Sequence, residues 1–243
     1  MTSSSLVRDG QSVADVHERL RTAILRGEIE AGATVSQGLL ASTFGVGRTP
    51  LREALRMLQR EGLVVSEPNR QVRIARLSAA DAEELYVIRI ALETVAVRIT
   101  VPTLRSHDLA ELEGSLAQMD HYQRAGDEAG FRTPHRAFHH LLVAGAGRRV
   151  SEQIGELADH SERYRLRFGG LGRWEERRAE HRVILDAAAA HDLELAALGL
   201  AVHHARTAAL VLRALDPGHD LGRLRTAIRA VAPGAEEALP AAG

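Results

Sequence analysis

The sequence contains no cysteine and no lysine, and aromatic residues make up only 3% of it. Without cysteine there are no disulfide bonds, thiolate zinc sites or cysteine nucleophiles. With so few aromatic residues the core must consist of Leu, Ala, Val and Ile, and the rarity of β-branched runs favours helix. No apolar run approaches the ~20 residues that a membrane span needs, and the first residues lack the apolar segment of a signal peptide. We therefore expect a cytoplasmic protein that does not enter a membrane.

Charge is distributed unevenly along the chain. The net charge of the 243 residues is −1. Residues 1–76 hold 11 arginines and 8 acidic residues, a net charge of +3, whereas residues 77–243 hold 20 arginines and 24 acidic residues, a net charge of −4. The asymmetry is small, but it indicates a basic module followed by an acidic one.

The basic module has a pattern of three helices and a hairpin. Apolar residues recur at helical spacing over 12–26, and Ser36 is expected to cap a short helix over 36–44. After a glycine turn at 45–47, Thr49 is expected to cap a helix that extends to residue 60. Residues 63–74 form the only good strand signal, a small hairpin. This order is that of a winged helix-turn-helix.

A DNA-recognition helix buries one face and offers polar donors on the other, with its first residues at the base edges. The residues that we expect to contact DNA are Arg48, Thr49, Arg52, Ser36, Arg70 and Arg73. The alternative is that these arginines only form a solvated helix face.

The acidic module reads as helix almost throughout. The sequence therefore predicts a mainly α protein, an N-terminal winged helix-turn-helix with a small β-hairpin wing followed by an all-α antiparallel helical bundle. The predicted parts are a flexible tail at 1–10, the winged helix-turn-helix at 11–76, a linker at 77–82, the helical domain at 83–231 and a disordered tail at 232–243.

Histidines suggest a metal site in the bundle. Of the 12 histidines, His135 and His139 share one face of a helix, His181 lies in a second helix, and His203 and His204 lie in a third. His204 is the weaker candidate of the last two, because adjacent residues point about 100° apart on a helix. Three helices with inward imidazoles can hold zinc, nickel, iron or copper, which imidazole suits better than calcium or magnesium. The alternative is that the pair at i, i+4 lies on the surface. Glu180 is expected to point away from the site. The site is therefore expected to lack a general base.

Two segments resemble a known family. The stretch TVSQGLLASTFGVGRTPLREALRMLQREGLVVSEPNRQVRIA resembles the winged helix-turn-helix of GntR-type bacterial transcription regulators. Residues 80–215, with YVIRIALETVAVRI, HRAFHHLLVAGAGRRV and EHRVILDAAAAHDLELAALGLAVHH, resemble the FCD ligand-binding domain of the FadR subgroup.

The resemblance implies specific roles. Metal-binding members use an Asp and three His, which map to His135, His139, His181 and His203, so a histidine replaces the usual Asp. Either His135 binds in its place or three histidines suffice. Arg89 matches an arginine that often faces the pocket, where it suits a carboxylate. Its alternative is a surface salt bridge with Glu93.

The family also implies a function. We expect a transcription regulator, more commonly a repressor, that binds a palindromic operator as a homodimer. A small organic acid in the bundle, next to zinc or nickel, is expected to change operator affinity. We do not expect an enzyme. One alternative is a helical metalloenzyme with an accessory N-terminal domain, which predicts turnover of a candidate acid. The other is a scaffolding protein, which predicts no salt-sensitive binding to a DNA duplex.

Overall fold

A computed structural model describes residues 12–168 and 173–240. The chain divides into two compact units between Leu77 and Ser78. The tail expected at 1–10 lies outside the described residues.

The first unit contains three helices and a three-stranded sheet. Its elements are α1 (Val13–Leu25), β1 (Thr34–Ser36), α2 (Gln37–Phe44), α3 (Arg48–Arg60), β2 (Val64–Glu67) and β3 (Gln71–Ile74). The side chain of Ser36 caps α2 by accepting a hydrogen bond from the Leu39 amide at 3.1 Å. Gly45 ends α2 in the left-handed conformation, at φ 63°, which glycine adopts without strain. The predicted winged helix-turn-helix is confirmed.

Two local predictions for this unit are wrong. The N-cap of α3 is Gly47, not Thr49, and no side chain caps the helix. Pro50 is therefore the third helical residue, where its missing amide still removes no intrahelical bond. The sheet also has a third strand, because β1 pairs antiparallel with β3. A three-residue strand is too short to show periodicity and depends on its partner.

The core of the first unit lies between α1, α3 and the sheet. α3 buries one stripe of four residues, Leu51, Ala54, Leu55 and Leu58. The strands contribute Val64, Val72 and Ile74 to the same cluster. Each fully buried leucine stabilises the unit by about 1.5–3 kcal/mol. This burial fixes α3 with its opposite, arginine-rich face toward solvent.

The second unit is a helical bundle. Its helices are α4 (Ala79–Thr100), α5 (Ser106–Ala125), α6 (Glu128–Leu141), α7 (Arg148–Arg167), α8 (Trp174–Ala189), α9 (Leu193–Leu215) and α10 (Gly222–Val231). Short 3₁₀ turns span Val101–Thr103, Ala144–Ala146 and Ala235–Ala238. The mainly α fold class is confirmed.

Two segments that we expected to be irregular are partly helical or packed in the structure. The linker expected at 77–82 is mostly helix, because Ser78 caps α4 and the helix begins at Ala79. Within the tail expected at 232–243, the structure describes residues 232–240, and Ala235 and Leu239 are buried against the bundle. The small apolar side chains near the end of the sequence do not recur at helical spacing. Their burial could therefore be recognised only from the packing.

α9 corrects the expectation about apolar runs. By length and composition alone, with a mean hydropathy of 1.5 over its most apolar 18 residues, this helix could cross a membrane. In the bundle 61% of that stretch is buried, and the helix carries the buried side chains of His203 and His204. These features are typical of the core helix of a folded domain, which passes the same test.

Candidate metal centre and nucleic-acid interface

Four histidines from three helices converge in the second unit. His135 and His139 lie on α6, His181 on α8 and His203 on α9. One ring nitrogen from each lies within 4.8 Å of the other three. His181 and His203 are buried, whereas the two α6 histidines are partly exposed. The structure thus brings together all four residues that the sequence singled out, including His135 in place of the usual Asp.

Hydrogen bonds orient two of these rings. Nδ1 of His181 lies 2.7 Å from the carbonyl oxygen of Arg177, and Nδ1 of His203 lies 2.8 Å from a carboxylate oxygen of Glu180. Both partners only accept, so each Nδ1 donates its proton, and the Nε2 lone pairs remain available. Nε2 of His139 lies 3.3 Å from Nε2 of His181, inside the same cluster.

The residues present fit a divalent metal ion. Burial lowers the pKa of His135, His139 and His181 well below its ordinary value, and neighbouring cationic and imidazole groups add to the effect. These three rings are therefore neutral at pH 7, and each can offer a nitrogen lone pair to a cation. Nδ1 of His139 is buried and has no hydrogen-bond partner among the described residues. A set of imidazoles suits zinc or nickel better than calcium or magnesium.

Glu180 has a role that sequence reasoning missed. We expected its side chain to point away from the site because it is next to His181, but it reaches the ring of His203 on the neighbouring helix. Its other oxygen accepts a hydrogen bond from Arg206 at 2.8 Å. Burial acts to raise the pKa of Glu180, and the contacts with His203 and Arg206 outweigh this, so the pKa is lowered. The partner is 23 residues away, which is why local spacing did not reveal it.

The ion pair that we considered for Arg89 forms, but it does not lie on the surface. Arg89 pairs with Glu93 at 2.7 Å, and the carboxylate side chain is only 1% exposed. Arg89 also donates to the Ser161 hydroxyl at 2.7 Å, and the second Glu93 oxygen lies 2.8 Å from Nε2 of His204. Burial acts to raise the pKa of Glu93, and Arg89 and His204 outweigh it and lower the pKa to about 2.

This second cluster is a hydrogen-bonded network rather than a further metal site. Glu93, His139 and His204 place ligand atoms within 4.8 Å of one another. However, the carboxylate charge is already balanced by the guanidinium of Arg89, and a second cation at that distance would be repelled. The trio therefore connects Arg89 to the histidine cluster.

The exposed face of α3 carries the predicted DNA contacts. Arg48, Thr49 and Arg52 lie in its first two turns and are exposed. Within the described residues, neither of these arginines forms an ion pair, whereas Arg56 on the same helix pairs with Glu53 at 2.7 Å. Unpaired guanidiniums beside the free amides of a helix N-terminus suit phosphate and base-edge oxygens.

The remaining three predicted residues differ in what they can offer. Arg70 is exposed at the tip of the wing and has a left-handed backbone, at φ 57°, as does Asn69 at φ 59°. Arg73 is already held by Glu67, at 2.8 Å, along the wing. The Ser36 hydroxyl is used in capping α2. The wing tip is therefore a better candidate for a DNA contact than the wing strand.

Two family models match the chain. The model described as bacterial regulatory proteins, gntR family, matches residues 13–74, and the FCD domain model matches residues 84–206. The chain belongs to the GntR family of bacterial transcription regulators. The resemblance that the sequence motifs indicated is thus confirmed. As a GntR regulator with an FCD domain the protein is a DNA-binding transcription regulator, and modulation by an effector is typical of that domain.

Similar proteins agree with this assignment. The HTH-type transcriptional regulator YdhC of Bacillus subtilis (strain 168) is 31% identical over 175 residues, which cover 70% of this chain and 77% of YdhC. The HTH-type transcriptional repressor GlaR of Escherichia coli (strain K12) is 29% identical over 163 residues, 63% of this chain and 71% of GlaR.

Solved structures show the same fold. A GntR regulator of Rhodococcus sp. RHA1 is 26% identical, with a TM-score of 0.70, and the match covers 83% of this chain and 98% of that one. McbR/YncC of E. coli is 24% identical, with a TM-score of 0.73, over 83% of this chain and 97% of that one. The second likeness shows the fold alone.

Proposed function

We propose that this GntR regulator binds a palindromic operator as a homodimer and represses transcription, and that a small organic acid held in a metal-containing helical bundle changes its operator affinity. The convergence of His135, His139, His181 and His203 within 4.8 Å is the observation that carries the proposal. Because its target is chromosomal DNA, we place the protein in the cytoplasm.

On the DNA side, α3 is the recognition element. Its buried stripe holds the helix so that Arg48, Thr49 and Arg52 face outward, where a guanidinium can bind guanine through two hydrogen bonds. Arg70 at the wing tip is suited to the backbone or the minor groove. Ser36 and Arg73 are engaged within the protein, so we assign them supporting roles at phosphate.

On the ligand side, the four imidazoles hold zinc or nickel. A bound ion supplies a Lewis-acidic coordination position for a carboxylate oxygen. The hydrogen bond from His181 to the Arg177 carbonyl and the one from His203 to Glu180 keep both Nε2 atoms directed at the ion. His135 is included as the fourth ligand because its ring stands 4.7 Å from the ring of His139 and 5.6 Å from that of His181.

Arg89 links the effector to the rest of the bundle. Its described contacts, with Glu93 and Ser161, use two of its five N–H donors, so others remain for a carboxylate. An acid that binds at Arg89 competes with Glu93, which also holds His204 beside the ligand His203. Binding therefore redistributes a buried hydrogen-bond network and shifts the population of bundle conformations, which is a route to altered operator affinity.

A homodimer agrees with an unpartnered face of α4. Ile88, Val95 and Ile99 recur there at spacings of seven and four and are 48–50% exposed. Aliphatic side chains at this spacing on one helix face are typical of a helix that packs against another helix. We infer that a second copy of this chain covers the stripe.

The metalloenzyme alternative finds little support. The carboxylate nearest to the histidines, Glu180, is occupied by His203 and Arg206, and those contacts hold its pKa below the range of a base at neutral pH. We therefore propose that the protein binds its organic acid without converting it.

Metal analysis of tag-free protein tests the proposal. Wild type is expected to hold close to one metal ion per chain, and the His139→Ala/His181→Ala variant to hold none. The matched control is His140→Ala, because that histidine is exposed on the same helix. Absence of metal from wild-type protein, even after incubation with zinc and nickel, would disprove the metal centre.

Fluorescence anisotropy on a labelled duplex from the promoter region of its own gene tests the regulator. We expect binding that weakens steeply with salt and that changes when an organic acid is added to metal-loaded protein. Binding that is independent of salt would favour the scaffolding alternative, and turnover of the acid would favour the enzyme.

A further inference from the structure

Three arginines surround one end of the histidine cluster. Arg132 lies three residues before the first metal ligand of α6, Arg177 lies four residues before the ligand of α8, and Arg165 lies near the end of α7. Since spacings of three and four keep residues on one helix face, Arg132 and Arg177 lie on the same faces as the ligands. We call this region, with Phe131 and Trp174, the arginine end.

Aromatic contacts bring Arg165 and Arg177 to one place. The rings of Phe131 and Trp174 meet edge to face, with centroids 5.4 Å apart. The guanidinium of Arg165 lies 5.6 Å from the Phe131 centroid, and that of Arg177 lies 5.7 Å from the Trp174 centroid. Phe131 also stacks on the ring of His135, at 5.3 Å. The arginine end is therefore continuous with the histidine cluster.

Two of the three arginines have buried donors without acceptors. The Nε atoms of Arg132 and Arg177 are buried and have no hydrogen-bond partner within residues 12–168 and 173–240. Arg165, in contrast, forms two hydrogen bonds with Glu162. The contact of Arg177 with Trp174 is a cation–π contact, which does not give the Nε–H group an acceptor.

These two arginines have no carboxylate in direct contact within the described part of the chain. Neither Arg132 nor Arg177 forms an ion pair with any residue that the structure describes. The carboxylates of Glu128 and Glu180 act on Arg177 only from a distance. Leaving a buried donor without an acceptor is costly, so a protein retains such a group where a ligand supplies the acceptor.

We propose that the arginine end is an anion subsite, in which Arg132 and Arg177 bind a second acidic group of the effector. The first carboxylate then lies at the histidine cluster and Arg89, so the effector is a small molecule with two anionic groups, a dicarboxylate or a phosphorylated acid. The inference rests on the proposed effector role of the bundle and narrows its ligand class.

The exposure of the surrounding side chains agrees with entry of the effector at the arginine end. His181 and His203 are buried, whereas His135, Arg132 and Trp174 are partly exposed. A ligand that enters from this side meets the arginines before it reaches the innermost imidazoles.

Isothermal titration of full-length, zinc-loaded protein tests the subsite. The probes are malonate, succinate and glutarate, each compared with the monocarboxylate of the same chain length, together with phosphoglycolate. We expect at least one doubly charged probe to bind about 10- to 100-fold more tightly than its monocarboxylate, as charge-assisted hydrogen bonds predict. Preference for phosphoglycolate or for a dicarboxylate identifies the second group, and either preference supports the subsite.

Variants assign the effect to the arginine end. Arg177→Gln and Arg132→Gln are expected to reduce the preference for the doubly charged probe about 10-fold or more, compared with wild type at equal zinc content. Arg178→Gln is the matched control, because Arg178 is the next residue of α8 and is 50% exposed.

Several results would overturn the inference. Equal affinity for mono- and dianionic probes, or no binding of any probe to zinc-loaded protein, would show that no anion subsite exists. So would variants that lower the melting temperature but keep the preference, because the arginines would then serve packing alone. Loss of zinc from wild-type protein would instead defeat the proposed metal centre, so the two failures are distinguishable.

Discussion

Replacing Glu180 with Gln should weaken metal binding without removing a ligand. Glu180 is 8% exposed, and its oxygens lie 2.8 Å from Nδ1 of His203 and 2.8 Å from Arg206. Glutamine keeps the size of the side chain and can still accept a hydrogen bond, but it removes the charge that makes the imidazole a stronger ligand.

The size of the effect follows from the contact. Losing an outer-shell partner of a metal-bound histidine typically costs 10- to 100-fold in affinity. Because Gln retains one acceptor, we expect the lower end, about 10-fold, which corresponds to about 1.4 kcal/mol. Glu180→Ala, which removes the acceptor as well, should approach 100-fold.

A competition titration against a chromophoric zinc chelator measures this directly. The control is Glu176→Gln, which changes an exposed carboxylate on the same helix and should leave the affinity at the wild-type value. If Glu180→Gln and Glu176→Gln bind zinc equally well, the charge of Glu180 does not strengthen His203 as a ligand. Circular dichroism of both variants checks that a loss of affinity is not a loss of fold.

Three further predictions concern the DNA surface, the dimer and the pH dependence of folding. Arg52→Ala should weaken duplex binding by about 1–3 kcal/mol, whereas Arg56→Ala, which removes an arginine already paired with Glu53, should have less effect in the same anisotropy assay. Val95→Glu, in the exposed stripe of α4, should convert a dimer into a monomer in sedimentation experiments. Burial raises the pKa of Tyr86 to about 12 from 10 in the unfolded chain, so this stabilisation is complete below pH 10 and is lost as the pH rises to 12. Alkaline unfolding of wild type should therefore be steeper than that of Tyr86→Phe.

Each of these predictions has a result that would contradict it. Equal losses for the two arginine variants would mean that α3 does not present Arg52 to the bases. A Val95→Glu protein that stays dimeric, with Val95→Ala as control, would move the interface elsewhere. Parallel alkaline unfolding curves for Tyr86→Phe and wild type would mean that the phenol is not buried as the structure shows.

Local patterns were sufficient for most of the first unit. The apolar stripe of α3, the serine cap of α2 and the alternation in β3 depend on neighbours within a few residues, so the sequence predicted these elements to within a residue or two. The prediction failed at β1, whose three residues form a strand only because β3 lies beside them. It also failed at the start of α3, where the backbone of Gly47 rather than a hydroxyl takes the cap position.

The identity of the candidate ligands was also a property of the sequence. Spacing placed His135 and His139 on one helix face, and the resemblance to FCD domains added His181 and His203. The surroundings of these ligands were not predictable in this way. Whether Arg89 pairs at the surface or in the interior depends on the helices packed around α4, and the structure places that pair in the interior.

The sequence by itself determined the family, the order of the helices and which histidines are candidates, because each of these depends on residue type and on spacing within one element. Only the tertiary structure decided that Glu180 holds His203, that Glu93 connects Arg89 to His204, and that the Nε atoms of Arg132 and Arg177 have no hydrogen-bond partner among the described residues. These relations join residues on different helices or depend on burial. Hydrogen bonding and desolvation depend on which side chains meet in space. The spacing of residues along the sequence does not determine contacts between different helices.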